Sequence, residues 1–211
     1  MQISEIFYSI QGETSYAGRP CVFVRLAGCN LDCAYCDTPY AREGGTAMSL
    51  DEVMRNVGEH PVGLAMVTGG EPLIQDETPQ LIQRLIGAGY TVLVETNGSL
   101  DIGVLPDEAI RIMDMKCPDS RMADRMFLPN LHKVRERDEV KFVVSSKKDY
   151  LWAKEMVLTH SLPERTTVLF SPTHGKLDLR ELAEWIIEDH LDCKLQLQLQ
   201  KIIWPEKRRG V

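Results

Sequence analysis

The stretch CVFVRLAGCNLDCAYCDT, residues 21–38, places three cysteines directly after a run of apolar residues. The run CVFVRL has the composition of a buried strand, so the cysteines are expected in the loop that follows it. Cys29, Cys33 and Cys36 lie within eight residues, and the nearest histidine, His60, comes after a predicted helix. The three thiols are therefore the first candidate site in this chain.

The number of cysteines limits what this loop can bind. Thiolates are soft ligands for zinc, copper(I) and iron–sulfur clusters. A structural zinc site usually has four protein ligands, which the loop does not supply, although a zinc ion with three ligands and an open position stays an alternative. We favour a four-iron cluster, in which three thiolates bind one iron each and the fourth iron keeps an open coordination site.

Composition sets limits on the class of protein. The chain has 211 residues, 44% hydrophobic and 26% charged, which suits a single domain over residues 1–211. The net charge of −7 argues against a nucleic-acid partner, because such a partner favours a basic surface. The chain lacks both a run of ~20 apolar residues and a secretory signal pattern. We therefore expect a cytoplasmic protein with no membrane partner, and Cys21, Cys117 and Cys193 as small buried hydrophobic residues.

Short β-rich runs alternate with helical patterns along the chain. Helices are predicted after the capping box of Ser49 and Glu52, from Thr78, after Ser146 and within residues 177–190. Strands are predicted at residues 21–26, 63–67, 90–95, 111–116, 139–144, 167–171 and, from the alternating KLQLQLQ, 194–200. These units are too few for a complete eightfold barrel of about 250 residues. We expect an incomplete, open TIM-like α/β barrel of about six parallel strands with outer helices.

Five polar segments directly follow predicted strands. Ligands bind at the carboxyl ends of the strands in such folds, so these segments are expected to meet at one site. Taken alone, two of them could be simple turns, since GG suits a strand-to-helix connection and Asn97 before Gly98 suits an Asx turn. The segments are the cysteine loop, TGGEP (68–72), ETNG (95–98), MKCP (115–118) and SPTHG (171–175).

The spacing of CNLDCAYC, with Tyr35 before the last cysteine, resembles the signature of the radical S-adenosylmethionine superfamily. The resemblance implies a [4Fe-4S] cluster on Cys29, Cys33 and Cys36, with S-adenosylmethionine on the open iron. It also implies one-electron cleavage of that cofactor, with an external electron donor such as flavodoxin. The protein's part is then to bind, orient and shield the cofactor.

The resemblance also assigns residues to S-adenosylmethionine. GGEP resembles the family's second motif, whose backbone contacts the methionine amino group, and polar groups after the next strand are expected at the ribose. Lys116 to Pro118 are expected near the adenosyl group, and Ser171 begins a loop expected over the adenine. The predicted cofactor-binding residues are Tyr35, Cys36, Asp37, Gly69, Gly70, Glu71, Glu95, Asn97, Lys116, Cys117, Pro118 and Ser171.

Two further stretches, EIFYSIQGET (5–14) and GRPCVFVRLAGCNLDCAYCDT (18–38), resemble one branch of that superfamily. Its members contract the ring of 6-carboxy-5,6,7,8-tetrahydropterin to 7-carboxy-7-deazaguanine with release of ammonia, in 7-deazapurine (queuosine) biosynthesis. The resemblance implies that Arg25 binds the substrate carboxylate and that Gln11 and Glu13 pair with the pterin ring. The predicted substrate-binding residues are Ile10, Gln11, Gly12, Glu13, Arg25 and Thr68.

The same branch implies a Mg²⁺ ion at Thr38 and a homodimer. A hydroxyl at Thr38 could instead cap a turn, but magnesium prefers oxygen ligands and usually keeps some from substrate or water. The chain has Gln200-Lys201 where relatives commonly have His-Lys, so it departs from the branch at Gln200.

Two other functions stay open. An activase for a glycyl-radical enzyme would share the small size and the three cysteines but should lack the pterin-binding SIQGE and Arg25. A non-enzymatic zinc-binding module would contain zinc in place of iron and sulfide.

Overall fold

The computed structural model describes residues 1–207 and 209–211, which form one nine-stranded sheet and five α-helices. The strands are β1 (Gln2–Ile10), β2 (Pro20–Leu26), β3 (Thr46–Ala47), β4 (Leu64–Gly69), β5 (Thr91–Thr96), β6 (Ile110–Met115), β7 (Glu139–Val144), β8 (Thr167–Pro172) and β9 (Lys194–Leu195). The helices are α1 (Leu50–Gly58), α2 (Thr78–Gly87), α3 (Lys147–Thr159), α4 (Leu179–Glu188) and α5 (Leu199–Ile203).

The sheet is an open barrel of parallel strands, as the alternation of strands and helices predicts. Its order is β3-β1-β2-β4-β5-β6-β7-β8-β9, with parallel pairing from β2 through to β9. Strand β1, which the sequence pattern did not predict, pairs antiparallel with β2 and carries β3 on its other side. Six parallel strands of six or seven residues therefore form the body of the barrel, and the two-residue β9 is the edge strand beside β8.

Three of the helices begin where the sequence predicts them, and two of these begin at side-chain caps. The Ser49 side chain accepts a hydrogen bond from the Glu52 N–H, and the Glu52 carboxylate accepts one from the Ser49 N–H, which completes the predicted capping box. Helix α2 begins at Thr78 with Pro79 in its first turn, and Ser146 caps α3 by accepting from the Asp149 N–H. Apolar faces of these helices pack on the outer side of the sheet, where Val53, Leu81, Ala153 and Val157 belong to the main core.

The inner side of the sheet has two layers. An apolar floor is formed by a second cluster of Cys21, Phe23, Leu64, Met66, Leu93, Ile110 and Ile112. Side chains along a strand alternate between faces, so the residues two positions after Phe23, Met66, Leu93 and Ile112 share their face. Those residues are Arg25, Thr68, Glu95 and Asp114, and strand pairing places Lys141 beside Asp114. A charged layer therefore lies directly above the apolar floor, toward the carboxyl ends of the strands.

The prediction of a strand over residues 194–200 is wrong beyond Leu195. The backbone leaves the sheet after Gln196, whose N–H donates to the Phe170 carbonyl at 2.8 Å, and then enters α5. The Leu199 N–H donates to the Gly12 carbonyl at 3.0 Å, which ties this segment to the β1–β2 connection. The alternating glutamines do not face solvent from a strand, because their amides donate to one partly buried carboxylate, that of Glu13.

Candidate active site

A cavity of about 640 Å³ opens at the carboxyl ends of the parallel strands. The loops after β2, β4, β5 and β6 contribute to its wall, together with the β1–β2 connection and the start of α5. Most of the predicted site residues line this one cavity: Ile10, Gln11, Gly12, Glu13, Arg25, Cys29, Cys33, Tyr35, Cys36, Asp37, Thr38, Thr68, Gly69, Gly70, Glu95, Asn97 and Lys116. The cavity therefore combines the predicted cluster, cofactor and substrate residues.

The three cysteines of the loop are free thiols on the cavity wall. Cys29 and Cys33 are partly buried and Cys36 is exposed. The Cys36 N–H donates to the Cys33 carbonyl at 3.2 Å, and the Ala34 N–H donates to the Ser120 carbonyl at 3.0 Å. Burial raises the pKa of the Cys33 and Cys36 thiols. Three soft ligands on one wall, held by backbone bonds, form a donor set that fits a cluster with three protein ligands.

Gly69 and Gly70 allow the end of β4 to lie against the cysteine loop. A Cβ atom at position 70 would overlap the Gly28 carbonyl and lie 2.8 Å from the Cys29 Cβ. Gly69 has a φ of +153°, and the Glu71 N–H donates to the Gly28 carbonyl at 2.8 Å. The GG pair is therefore more than a strand-to-helix turn, because only glycine permits this close approach.

The Glu71 carboxylate lies behind the cavity wall instead of on it. Its side chain is fully buried and accepts hydrogen bonds from the Leu73 N–H at 3.0 Å, the Thr96 hydroxyl at 2.8 Å and the Asn97 N–H at 2.6 Å. Burial raises the pKa of Glu71 despite these donors. The carboxylate therefore joins the loop after β4 to the loop after β5, and it supports Asn97 from below.

Three further predicted residues do not line the cavity. Cys117 is fully buried in the main core, where burial raises its pKa, and its thiol points back toward the Met115 carbonyl. Pro118 begins a short 3₁₀ turn after β6, and Ser171 on β8 is 1% exposed. Cys117 is turned away because the chain enters the core directly after β6, whereas Ser171 is covered although its strand neighbour Val143 lines the cavity.

Asn97 is held at the end of the cavity where the three cysteines lie. Its amide nitrogen is 3.9 Å from the Cys29 sulfur and donates to the Asn30 side chain at 3.0 Å. Its amide oxygen accepts from the Ser99 N–H at 3.0 Å, which is the Asx turn that the sequence suggested. Asn97 therefore has both a structural role in its turn and a position on the cavity wall.

Arg25 lies on the cavity wall within a small ion pair. Its Nε donates to the Glu5 carboxylate at 2.8 Å, and the Tyr40 hydroxyl donates to the same oxygen at 2.8 Å. The Arg25 side chain is 15% exposed and its guanidinium lies 5.8 Å from the centre of the Phe7 ring. Arg25, which the resemblance predicts at the substrate carboxylate, is therefore held in an ion pair at the cavity itself.

Glu13 accepts hydrogen bonds on both carboxylate oxygens. Gln198 and Gln200 donate to Oε1 at 2.9 and 2.8 Å, whereas Gln196 and Lys141 donate to Oε2, both at 3.1 Å. Burial alone would raise the pKa of Glu13, but the Lys141 ammonium and these amides hold it below its usual value. Glu13 is therefore an ionised acceptor whose protein donors come from the C-terminal segment and from β7.

The charged layer continues across the barrel from Glu13. Lys141 contacts both Glu13 and Glu95, and the Thr68 hydroxyl donates to the other Glu95 oxygen at 3.1 Å. Asp114 lies 3.5 Å from Lys141 and 2.9 Å from Lys116. Lys141 and Asp114 were not predicted as site residues, although a charged residue inside a buried strand, as in EVKFVV and RIMDMK, is a signal for a buried polar site.

Thr38 lies beside a charged pair at the cavity edge. Its hydroxyl donates to Asp37 Oδ1 at 3.0 Å, and the Lys201 ammonium lies 3.0 Å from Asp37 Oδ2. Burial would raise the pKa of the Asp37 carboxyl, but Lys201 lowers it overall. Two hard oxygen donors, a hydroxyl and an ionised carboxylate, therefore lie next to each other, which is the donor type that magnesium prefers.

The helices described for this chain are all too short or too polar to cross a bilayer.

In chemical terms, the cavity offers soft sulfur ligands at one end and an ionised network at the other. Donors and acceptors for a small polar molecule lie between these two ends.

Comparison with known proteins agrees with this arrangement. Residues 24–126 match the family described as the Radical SAM superfamily. The chain is 42% identical over 226 residues to 7-carboxy-7-deazaguanine synthase of Koribacter versatilis, with all of both chains covered. It is 45% identical over 214 residues to the enzyme of that name in Chlorobaculum tepidum, which covers all of this chain and 97% of the relative.

Solved structures share the fold. QueE from Escherichia coli superimposes with a TM-score of 0.76 at 23% identity, covering 92% of this chain and 93% of QueE. Streptococcus suis SuiB bound to S-adenosylmethionine superimposes with a TM-score of 0.60 at 13% identity, covering 87% of this chain and 54% of SuiB. At these identities the likeness concerns the fold alone.

Proposed function

The chain belongs to the 7-carboxy-7-deazaguanine synthase family of radical S-adenosylmethionine enzymes, and we propose that it catalyses the reaction for which its relatives are named. That reaction converts 6-carboxy-5,6,7,8-tetrahydropterin to 7-carboxy-7-deazaguanine and releases ammonia. The observation that carries the proposal is the cavity, which holds the three free cysteines together with Glu13 and Arg25. We also propose that residues 1–211 act as one domain, because one sheet carries all of these residues.

Cys29, Cys33 and Cys36 would hold a [4Fe-4S] cluster at one end of the cavity. When bound, the cluster and S-adenosylmethionine supply one-electron cleavage of a carbon–sulfur bond and hence a radical that abstracts hydrogen. Gly70 gives the cofactor's methionine end a backbone surface free of side-chain bulk, and Asn97 offers an amide beside it. Glu95 and Lys116, further along the wall, offer polar groups for the ribose and adenosyl parts.

Arg25, Gln11 and Glu13 would bind the pterin at the other end of the cavity. The guanidinium of Arg25 suits the 6-carboxylate, and the bond to Glu5 at 2.8 Å fixes its direction. The ionised Glu13 suits ring N–H donors, each of which takes the place of one glutamine amide on its oxygens. The Gln11 side chain is 2% exposed and its oxygen accepts from the Glu13 N–H at 3.1 Å, so it orients Glu13 as well as facing the cavity.

The function is tested by anaerobic turnover of the reconstituted protein with S-adenosylmethionine, Mg²⁺, a reductant and 6-carboxy-5,6,7,8-tetrahydropterin. We expect the deazaguanine chromophore and ammonia from the wild-type protein and neither from Cys33→Ala. A glycyl-radical activase would instead fail to bind the pterin. Zinc in place of iron and sulfide, or no product with a fully loaded cluster, would contradict the proposal.

We propose that Thr38 contributes its hydroxyl to a Mg²⁺ ion shared with the substrate carboxylate, with Asp37 beside it. The variant Thr38→Ala should keep its iron and sulfide content but lose the dependence of turnover on added magnesium. Thr159→Ala, on the exposed end of α3, is the matched control and should respond to magnesium as the wild type does. Equal magnesium dependence in Thr38→Ala and wild type would contradict the role of Thr38.

The electron donor and the assembly also belong to the proposal. An external one-electron donor such as flavodoxin would deliver its electron near Cys36, because that cysteine is the exposed member of the three. A homodimer is proposed from the family resemblance alone. Cross-linking of the donor and light scattering of the protein test these two proposals separately.

A further inference from the structure

Lys141 is a buried lysine that contacts three carboxylates in the cavity, and no role has so far been assigned to it. It lies in the middle of β7, and its side chain is 4% exposed. Its ammonium lies 3.1 Å from Glu13 Oε2 and 3.5 Å from Asp114 Oδ2, and it also contacts Glu95 Oε1. One ammonium thus contacts three carboxylates that come from the β1–β2 connection, β5 and β6.

The charges around Lys141 are unevenly shared. Asp114 has a second cation, Lys116, at 2.9 Å, whereas Glu13 and Glu95 share Lys141 between them. The other partners of Glu13 and Glu95 are neutral, namely three glutamine amides on Glu13 and the Thr68 hydroxyl on Glu95. Two carboxylates that meet at one buried point repel each other unless a cation lies between them.

The position of Lys141 follows from the sheet register. Asp114 on β6 pairs with Lys141 on β7, and both lie in the charged layer above the apolar floor. Glu95 reaches the same point from β5, and Glu13 reaches it from the opposite side of the open barrel. Lys141 therefore joins the substrate end of the cavity, at Glu13, to Glu95 at the predicted ribose position.

We propose that Lys141 is a positioning residue, whose ammonium holds Glu13 and Glu95 in fixed places as acceptors for the substrate and the cofactor. The proposal rests on the function proposed above. Lys141 acts through the two carboxylates and takes no part in bond making or breaking. Burial would lower the pKa of Lys141, but the three carboxylates raise it well above its usual value, so the ammonium persists at neutral pH.

The test compares Lys141→Met with Lys148→Met, a change on the exposed surface of α3 where the side chain is 71% exposed. Lys141→Gln is the second variant, because its amide keeps one donor in the buried layer if the methionine variant does not fold. We expect Lys141→Met to keep its cluster content and to lose roughly 100-fold in kcat/KM, the size of loss that displaced binding groups cause. Lys148→Met should match the wild type.

A double-variant cycle distinguishes positioning from an independent effect. If Lys141 acts through Glu13, the double variant Glu13→Gln with Lys141→Met should lose much less than the product of the two single losses in kcat/KM. The same cycle with Glu95→Gln tests the second carboxylate. Losses that multiply in both cycles would overturn the proposal.

An infrared titration of the protein alone separates this proposal from the function. The Glu13 carboxyl band, assigned by difference from Glu13→Gln, should titrate at least about one pH unit higher in Lys141→Met than in wild type, because the neighbouring cation is gone. An unchanged midpoint would overturn the positioning role, even if the wild type turns over the pterin. A shifted midpoint with no turnover by the wild type would overturn the proposed function and leave the positioning role of Lys141 intact.

Discussion

Gly70 controls how closely the end of β4 approaches the cysteine loop. A methyl group at this position would overlap the Gly28 carbonyl and lie 2.8 Å from the Cys29 Cβ, so the loop itself would have to move. We predict that Gly70→Ala folds but takes up less iron and sulfide than the wild type during anaerobic reconstitution. Turnover should fall by roughly 100-fold, because the ligands are displaced.

Gly87→Ala is the control for this substitution. Gly87 lies in the last turn of α2, and an added Cβ there would meet no heavy atom within 4 Å. Alanine at such a position stabilises by about 0.4–1 kcal/mol, because it restricts the unfolded chain. Equal iron content in Gly70→Ala and Gly87→Ala would show that the close approach is not needed for cluster binding.

Glu71 stabilises the site from behind the wall, and its removal should affect the fold before the chemistry. Its two oxygens accept three hydrogen bonds, and a glutamine would turn an amide nitrogen toward a backbone N–H or a hydroxyl. We predict that Glu71→Gln lowers the free energy of unfolding by about 1–3 kcal/mol, measured by chemical denaturation. Glu108→Gln, at an exposed position, should change it by less than about 0.5 kcal/mol.

The pH dependence of the Glu71 effect has a definite sign. Because burial raises the folded-state pKa of Glu71 above 4.5, ionisation of this carboxyl disfavours the folded state. That cost is absent below pH 4.5 and grows as the pH rises through the folded pKa. Glu71→Gln cannot ionise, so its stability deficit should be smaller at neutral pH than at pH 4, and a deficit that grows with pH would contradict the assignment.

Local sequence signals predicted two kinds of feature well, namely the starts of capped helices and the positions of buried strands. The capping box at Ser49, the proline after Thr78 and the cap at Ser146 each lie at the start of an observed helix. The six longer parallel strands lie within two residues of the predicted ones. Both kinds of signal are local, since a cap satisfies backbone groups within one turn and a strand buried on both faces reads as a continuous apolar run.

The C-terminal segment was misjudged because its partner is far away in sequence. KLQLQLQ has the period of a strand, but Gln196, Gln198 and Gln200 donate to Glu13, more than 180 positions earlier. The alternation of polar and apolar residues does not show whether the polar side chains point to solvent or to a carboxylate inside the protein. Strand β1 was not predicted for a related reason, because its burial is partial and the nine-residue connection to its partner β2 contains residues predicted to bind the substrate.

Gly12 provides the space for this C-terminal contact. A Cβ at position 12 would overlap the Gln200 amide oxygen and lie 2.8 Å from the Gln200 Cδ. We predict that Gly12→Ala moves α5, whose Gln200 and Lys201 form part of the cavity wall, and thus raises KM for the pterin by roughly tenfold with a smaller change in kcat. Gly63→Ala, where a Cβ meets nothing within 4 Å, is the control. A change confined to kcat would contradict this account.

The site is distributed over most of the barrel, which explains how much of it the sequence revealed. Motif residues such as Cys29, Cys33 and Cys36 were recognisable from spacing alone, and the strand-end rule brought their loops together correctly. Lys141 and Asp114 were not predicted because their contact depends on the register between β6 and β7, which a single sequence does not specify. Gln198 lines the same cavity because the chain leaves the sheet shortly before it, and no local sequence pattern indicates where the chain leaves the sheet.

Because the cavity is built from residues between Ile10 and Val211, a ligand held there should stabilise the whole fold. A ligand that binds only the folded state at 100 times its Kd adds about 2.7 kcal/mol to the free energy of unfolding. For a chain of this size that corresponds to a rise in Tm of roughly 5–10 °C. We predict this rise when S-adenosylmethionine is added to cluster-loaded protein, and a much smaller one with cluster-free protein, because the open iron is then missing. Gly70→Ala should resemble the cluster-free protein. An equal rise with and without the cluster would mean that the cofactor binds to the cavity wall without using the iron, and that the three cysteines do not determine where it docks.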